Sequence, residues 1–209
     1  EAAIKYTPGG QHLPFPSILA VAQAVEVGTT DEGVVPIENS LEGAVNDTLD
    51  LLIHDSTLCI RGEIVLPIEH CLMVLPGIEE DQLQAISSHP QALGQCRNFL
   101  ERRFPKIRAM ATLSTAAAVE SLKDSPVPAG AIAPPRAAVL YGVKILARAI
   151  QDRPNNLTRF VVLAKTDHAP TGKDKTSLGF SFVGDEPGLL YSVLGEFARR
   201  HINLAKIES

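Results

Sequence analysis

Small polar residues occupy three places where a predicted strand gives way to a predicted helix. The motifs are Glu38-Asn39-Ser40, Ser88-His89-Pro90-Gln91 and Ser114-Thr115. Ligands of open α/β sheets bind at the carboxyl ends of strands, and helix N-termini offer N–H groups and a partial positive charge that suit carboxylates. Helix capping, worth about 1 kcal/mol for Ser, Thr or Asn, is the alternative at each junction. Three such junctions in one sheet favour a site for a small anion.

A fourth polar stretch, residues 155–160, leads into the last strand of the same region and reads Asn-Asn-Leu-Thr-Arg-Phe. Strand alternation places Thr158 and Phe160 on one face and Arg159 on the other. A hydroxyl beside an aromatic ring suits a ligand with a flat apolar ring and a polar substituent. An ordinary β-prone Thr-x-Phe pair is the alternative.

Other kinds of site have no motif in this sequence. It contains no G-x-G-x-x-G or P-loop fingerprint and no G-x-S-x-G nucleophile elbow. Cys59, Cys71 and Cys96 are too few and too scattered for a disulfide framework or a four-ligand zinc site. Cys96 lies on an apolar helix face and is predicted to be core, and His70 is predicted to be structural. We therefore expect no metal and no cofactor, and chemistry performed by neutral donors.

Composition narrows the classes of partner. The chain has 209 residues and a formal net charge of -5, whereas nucleic-acid-binding domains usually carry clustered Lys and Arg. No run of 18 uncharged apolar residues occurs, so we expect no membrane span. The expected location is the cytoplasm.

The elements that must position the polar residues follow from hydrophobic patterning. Strands are predicted at residues 33–37, 59–66, 71–75, 85–88, 107–112, 129–133 and 160–164. Amphipathic helical segments of about ten residues separate most of them. This alternation predicts a layered α/β domain with a mainly parallel sheet.

A polar linker, residues 165–175, ends this region. Beyond it, alternating apolar residues at 178–182 predict a strand, residues 190–197 an amphipathic helix, and residues 202–207 a second strand. This β-α-β piece is too small to bury a core alone and needs a partner surface.

Taken in order, the polar motifs resemble those of the prephenate dehydratase family over almost the whole chain. The matching stretches are residues 33–43, 66–70, 88–96, 114–116 and 156–160, the last with the Thr-Arg-Phe signature. Residues 186–190 and 207–209 resemble the start of an ACT regulatory domain. The family's opening Gly-Pro-x-Gly-Thr-Phe loop is missing before residues 1–6, which look like part of the first helix. We therefore expect a fragment of a longer product.

The resemblance implies a two-lobed catalytic domain of the type 2 periplasmic-binding-protein class, followed by a partial α+β ACT domain of ferredoxin-like fold. The catalytic domain would span residues 1–165. Its first lobe would comprise residues 1–68 and 153–165, and its second lobe residues 69–152. The partial ACT domain would span residues 176–209.

The implied reaction is loss of water and CO2 from prephenate, giving phenylpyruvate for phenylalanine synthesis. Thr158 is assigned to hydrogen-bonding or protonating the departing hydroxyl, and such help is worth typically 10²–10⁴-fold. Phe160 would pack against the ring. The predicted substrate-binding residues are Glu38, Asn39, Ser40, Ser88, His89, Gln91, Ser114, Thr115, Asn156 and Phe160.

By the same resemblance the ACT domain would bind L-phenylalanine as effector and pair between subunits, giving a dimer or tetramer. The predicted effector-binding residues are Gly188, Leu189, Leu190 and Asn203. The family's Gly-Ala-Leu-Val motif reads Gly-Leu-Leu-Tyr here, and Tyr191 crowds that pocket. The alternative is a two-lobed sensor of aromatic acids that performs no turnover.

Overall fold

Two β-sheets organise the first four-fifths of the chain. The computed structural model describes residues 1–208 and divides the chain into unit 1, Glu1–His168, and unit 2, Ala169–Ser209. The strands are β1 (Glu32–Asn39), β2 (Gly43–Ala44), β3 (Cys59–Pro67), β4 (Cys71–Val74), β5 (Ala85–Ser88), β6 (Arg108–Ala111), β7 (Ala129–Ala133), β8 (Lys144–Ala147) and β9 (Leu157–Ala164).

Among the described residues, unit 1 contains seven α-helices and unit 2 contains one. They are α1 (Ala2–Tyr6), α2 (Ile18–Glu26), α3 (Asn46–Asp50), α4 (Pro90–Gln95), α5 (Arg97–Arg103), α6 (Thr115–Glu120), α7 (Arg136–Tyr141) and α8 (Leu189–Arg199). A π-helical turn, Leu51–Asp55, extends α3, and 3-10 turns occupy Glu80–Gln82 and Ser121–Asp124. Within the described chain no helix has the length and apolar character that a bilayer crossing requires.

The first sheet has the order β2-β1-β9-β3, with every pairing antiparallel. Its core lies against α2 and the π-helical turn Leu51–Asp55 and includes Val35, Val161 and Leu163. Helix α2 comes very close to β1 at Gly33, where a Cβ would lie 2.6 Å from Cγ1 of Val21. A side chain at position 33 would therefore push α2 off the sheet.

The second sheet has the order β6-β5-β7-β4-β8, and its three inner strands, β5, β7 and β4, are buried on both faces. Cys71 and Met73 of β4 belong to one core cluster, and Leu72 and Val74 to the other. Burial on two faces explains why β4 and β7 appear in the sequence as uninterrupted apolar runs rather than alternating ones.

The predicted mainly parallel sheet is wrong. Only β5 pairs in parallel, with β6 and β7. The last strand of unit 1, β9, inserts between β1 and β3 and runs antiparallel to both. Apolar patterning cannot reveal this, because a buried strand has the same composition whichever way its neighbours run.

The chain passes between the sheets twice, between β3 and β4 and between β8 and β9. The two connections run next to each other and are joined by backbone hydrogen bonds. The Ile68 N–H donates to the Asn156 carbonyl at 2.8 Å, and the Ile150 N–H donates to the His70 carbonyl at 3.0 Å. The lobe boundaries at 68/69 and 152/153 stay predictions.

In unit 2 the predicted helix is present as α8, but the two predicted strands are wrong. Residues 178–182 and 202–207 form no ladder within the described chain, up to residue 208. A strand exists only when another strand pairs with it, and α8 is the one regular element between these segments. Ser209, the end of the predicted ACT motif, lies outside the described residues.

Candidate active site

The hydroxyl of Thr158 lies beside the carboxamide of Asn39. The two residues are directly paired across β9 and β1, so their side chains share one face of the first sheet. Nδ2 of Asn39 donates to Oγ1 of Thr158 at 2.8 Å and to Oδ1 of Asn156 at 2.8 Å. The structure therefore brings three of the sequence-predicted site residues together.

The direction of these hydrogen bonds is fixed by the backbone. The N–H groups of Leu41 and Glu42 point at Oδ1 of Asn39, at 2.9 and 3.3 Å. A backbone N–H can only donate, so this oxygen must be the acceptor and the NH2 group must face Thr158. Since Oγ1 of Thr158 accepts from Asn39, its own hydrogen remains for another acceptor.

The hydrogen-bonded side chains continue from the first sheet to α4 beside the second sheet. Nδ2 of Asn156 donates to Oε1 of Gln95 at 2.9 Å, and Nε2 of His70 lies 2.8 Å from the same oxygen. Nε2 of Gln95 donates to Oε1 of Glu42 at 3.1 Å. We call Thr158, Asn39, Asn156, Gln95, His70 and Glu42 the polar network.

Asn156 is the buried centre of the polar network, with 1% of its surface exposed. Its carbonyl and its amide each have a side-chain partner, as burial of a polar group requires. If either partner were lost, the carbonyl or the amide of Asn156 would be buried without a side-chain hydrogen bond.

Ser40 fixes the start of β9. Its hydroxyl donates to the Asn155 carbonyl at 3.1 Å and accepts from the Leu157 N–H at 2.9 Å. The position is next to the polar network, and both observed bonds hold the backbone. A contact between Ser40 and substrate stays a prediction.

Glu38 lies on the other face of the sheet from Asn39, because neighbouring strand residues point to opposite sides. It pairs across the strands with Arg159, and the nearest charged atoms are 3.4 Å apart. Arg159 also approaches Glu63 at 3.6 Å. The structure therefore places Glu38 on the opposite face of the sheet from Thr158, and its substrate contact stays a prediction.

The predicted residues of the second sheet cap helices or hold strands. Ser88 is fully buried, and its hydroxyl donates to the Ile132 carbonyl at 2.6 Å. His89 caps α4, and Ser114 caps α6 by accepting from the Ala117 N–H at 3.0 Å. Thr115 is the first residue of α6. Capping is thus observed at both helices, while substrate contacts at these four residues stay predictions.

Gln91 connects α4 with the first sheet, because its Nε2 donates to the carboxylate of Glu42. Gln95, one helical turn later, donates to the same oxygen.

Phe160 stands two residues beyond Thr158 on the same face of β9 and pairs with Pro36 and Ile64.

Sequence reasoning missed Gln95, Glu42 and His70 as members of this site. Gln91 and Gln95 are four residues apart and so share a face of α4, a spacing that would have indicated a joint role. Glu42 lies in the stretch 33–43 that resembles the family, but no role is predicted for it from the sequence. The structural interpretation of His70 left out its side-chain partner.

Burial keeps two of the cysteines protonated. Desolvation raises the pKa of Cys71 to about 11, helped by Glu69, and that of Cys96 to about 12, helped by Asp152. Both side chains are fully buried, so the predicted core position of Cys96 is confirmed. A buried thiol that stays protonated is a poor nucleophile.

Within residues 1–208 no group of three or more His, Cys, Asp or Glu side chains is arranged to hold a metal ion.

In unit 2, Gly188 precedes α8 with a φ of 95°, and Leu189 and Leu190 form its first residues. Asn203 lies in the irregular segment that follows. Their effector role stays a prediction.

The comparison with known families decides the assignment. A family profile described as prephenate dehydratase matches residues 1–168. The chain belongs to the prephenate dehydratase family. The predicted resemblance is therefore confirmed.

Curated relatives of this prephenate dehydratase family member carry two kinds of name. A bifunctional chorismate mutase/prephenate dehydratase of Aquifex aeolicus is 46% identical over 212 residues, covering 100% of this chain and 57% of that protein. Arogenate dehydratase/prephenate dehydratase 1 of Arabidopsis thaliana is 42% identical, covering 100% of this chain and 53% of that protein. The chain thus spans little more than half the length of these relatives.

A solved structure, prephenate dehydratase of Arthrobacter aurescens in complex with L-Phe, shares the fold. It is 33% identical with a TM-score of 0.84, and the match covers 100% of this chain and 71% of that one. The predicted α/β fold class is confirmed, whereas the partial ACT domain stays a prediction.

Proposed function

We propose that this chain forms the dehydratase part of an enzyme that converts prephenate to phenylpyruvate, a carbon–oxygen lyase of phenylalanine synthesis. Family membership and the names of the relatives support the reaction class. A prephenate substrate and a cytoplasmic location are the finer parts of this proposal.

The reaction needs one well-placed hydrogen-bond donor. The bond from the ring to its carboxylate breaks, and CO2 leaves. The electron pair of that bond enters the ring and expels the C4 hydroxyl, which takes up a proton from water and departs as water. An aliphatic hydroxyl such as Thr158 is too weak an acid to be left as an alkoxide. It therefore stabilises the departing oxygen by hydrogen bonding.

One observation carries this role: Thr158 accepts from Asn39. An accepted hydrogen bond uses the oxygen of the hydroxyl and leaves its hydrogen for the substrate. It also polarises the hydroxyl, because hydrogen bonds in series strengthen one another. Donors aimed in advance at developing charge are the most effective kind of electrostatic help.

The remaining predicted residues supply binding in this proposal. The capped N-termini of α4 and α6, with His89, Gln91, Ser114 and Thr115, would face the substrate carboxylates. Phe160 would pack against the ring. Asn156 and Ser40 hold β9, and Ser88 holds β5 to β7 in the second sheet.

The test is a direct assay on the purified protein. Prephenate is supplied and phenylpyruvate is measured by ultraviolet absorbance, with arogenate and its product phenylalanine in a parallel reaction. Turnover of prephenate is the expected result. Turnover of arogenate alone would overturn the substrate but not the reaction class. Saturable binding of prephenate without product would support the aromatic-acid sensor instead.

Regulation by L-phenylalanine is a separate part of the proposal. The Arthrobacter aurescens structure contains L-Phe, and the turn at Gly188 opens α8, the helix whose N-terminus was predicted to receive an amino-acid carboxylate. Calorimetric titration of the full-length enzyme with L-phenylalanine tests it, and sedimentation tests the predicted dimer or tetramer. The absence of saturable heat would overturn the effector role.

A further inference from the structure

His70 lies at one end of the polar network, and its two ring nitrogens have different surroundings. The side chain is 5% exposed. Nε2 lies 2.8 Å from Oε1 of Gln95, whereas Nδ1 is buried without a protein hydrogen-bond partner among the described residues. One ring nitrogen is therefore directed at the site, and the other takes no part in the hydrogen bonds of the described residues.

The hydrogen-bond directions derived for Asn39 determine the protonation of this ring. Since Asn39 donates to Oδ1 of Asn156, the amide of Asn156 must donate to Oε1 of Gln95. That oxygen is then an acceptor, and a nitrogen 2.8 Å from it must carry a hydrogen. Nε2 of His70 therefore carries a hydrogen. A second hydrogen on Nδ1 would be buried without a protein acceptor among the described residues, so Nδ1 is the bare nitrogen of a neutral ring.

We propose that His70 is a positioning residue, held as the neutral Nε2–H tautomer, that fixes the carboxamide of Gln95 with its NH2 group turned towards Glu42. This proposal deepens the proposed dehydratase function and rests on it.

The arrangement needs His70 because the carboxamide of Gln95 can otherwise rotate. Asn156 alone leaves Gln95 with one acceptor contact on this side, and the exposed carboxylate of Glu42 is its only partner on the other side within the described chain. The second donor makes the rotated state costly, because rotation would set two donors, Nε2 of His70 and Nδ2 of Asn156, against the NH2 group. The backbone of His70 is itself fixed, since its N–H donates to Oε1 of Gln151 at 3.0 Å.

Three variants of His70 separate positioning from packing. In His70→Gln the amide nitrogen occupies the place of Nε2, so the donor is kept. In His70→Asn the shorter side chain carries its amide at the place of Nδ1, and in His70→Leu the donor is removed. We expect kcat to fall roughly tenfold to a hundredfold in His70→Leu and His70→Asn, with KM changed less, and His70→Gln to recover most of it.

A double variant tests whether His70 acts through Gln95. In a Gln95→Leu background, His70→Leu is expected to cause little further loss, because residues that act as a unit are not additive. His54→Gln, on an exposed histidine outside the polar network, is the matched control and keeps full activity. Equal losses in His70→Gln and His70→Leu, or additive losses in the double variant, would overturn the proposal.

A spectroscopic measurement decides the tautomer without any activity. Nitrogen-15 NMR of the histidine-labelled wild-type protein near neutral pH is expected to show His70 with Nε2 protonated and Nδ1 bare. The Gln95→Leu variant should lose this preference. Protonation at Nδ1 in the wild type would overturn the proposal. If the wild type converted neither prephenate nor arogenate, the proposed function would fall, and the spectrum would still decide the state of His70.

Discussion

Unit 1 and unit 2 have similar apolar sequence patterns but differ in how far their apolar side chains are buried. In unit 1 the apolar residues of the strands lie in three clusters between sheets and helices. In unit 2, Leu178, Phe180 and Leu190 each keep about half of their surface exposed. An alternating apolar pattern therefore specifies a strand only where partner strands are available to pair with it.

Polar groups show the same contrast. In unit 1, Asn156 is buried with both ends of its carboxamide bonded. In unit 2, the ion pairs of Glu196 with Arg199 and Arg200 lie on the exposed side of a single helix, where such pairs contribute little. Unit 1 depends on a few buried polar bonds, so single substitutions there should have large effects.

The largest effect is expected at Thr158. Replacing it with Ala removes the donor that the proposed transition state uses, so kcat and kcat/KM should fall together by at least about 10²-fold, roughly 2.7 kcal/mol. Thr158→Ser keeps the hydroxyl and should retain much of the activity. Steady-state kinetics with prephenate measure both variants. Near-normal turnover by Thr158→Ala together with a loss in Thr158→Ser would mean that the side chain only packs.

Asn156 should show the largest effect on folding. Asn156→Ala removes one hydrogen bond from Asn39 and one from Gln95, and we expect the free energy of unfolding to fall by about 1–3 kcal/mol. The neighbouring Asn155 is exposed and uses only its backbone carbonyl in a bond to Ser40, so Asn155→Ala should stay within about 0.5 kcal/mol. Urea denaturation compares the two. Equal changes would show that the polar network does not stabilise unit 1.

Cys96 should produce a smaller effect that depends on pH. Desolvation raises its pKa in the folded state to about 12 from a reference value of 9.0. The unfolded chain then loses its proton first, so this contribution to stability is complete below pH 9 and is lost as the pH rises towards 12. Between pH 7 and pH 10 the loss should be about 1 kcal/mol.

The control for Cys96, which caps the end of α4, is Leu93 of that helix. Denaturation at pH 7 and pH 10 should show a weaker pH dependence in Cys96→Ala than in the wild type. Leu93→Ala removes apolar volume from the same core cluster but no titratable group, so it should lower stability equally at both pH values. An unchanged pH dependence in Cys96→Ala would contradict the assignment.

The sequence predicted most elements of unit 1 but not how they pair. The strand with Gly33 and the helix capped by Ser17 were predictable, because turn residues and apolar spacing bound them locally. The insertion of β9 was not, since it depends on pairing between segments about ninety or more residues apart in the chain. Strand β8 was missed because Lys144–Ala147 is short and lies at a sheet edge.

The candidate site was predictable in part for the same reason. Asn39, Asn156 and Thr158 are found together, and each stands in a short polar motif next to a strand. Gln95 and His70 join them only through the two connections between the sheets, which no local pattern reveals. Glu38 shows the limit of a motif, because a motif groups neighbours that strand alternation places on opposite faces. Its substrate contact stays a prediction.

The smallest effect is expected when unit 2 is removed. A chain ending at residue 168 keeps both sheets and all three core clusters, so its free energy of unfolding should match that of the whole chain within about 0.5 kcal/mol. The peptide 169–209 should show little helix by circular dichroism, because α8 has 11 residues and isolated helices below about 12–15 residues are marginal in water. A loss above about 1 kcal/mol in the shortened chain would show that unit 2 stabilises unit 1. A stable helical peptide would show that unit 2 folds unaided, and either result would remove the contrast between the two units.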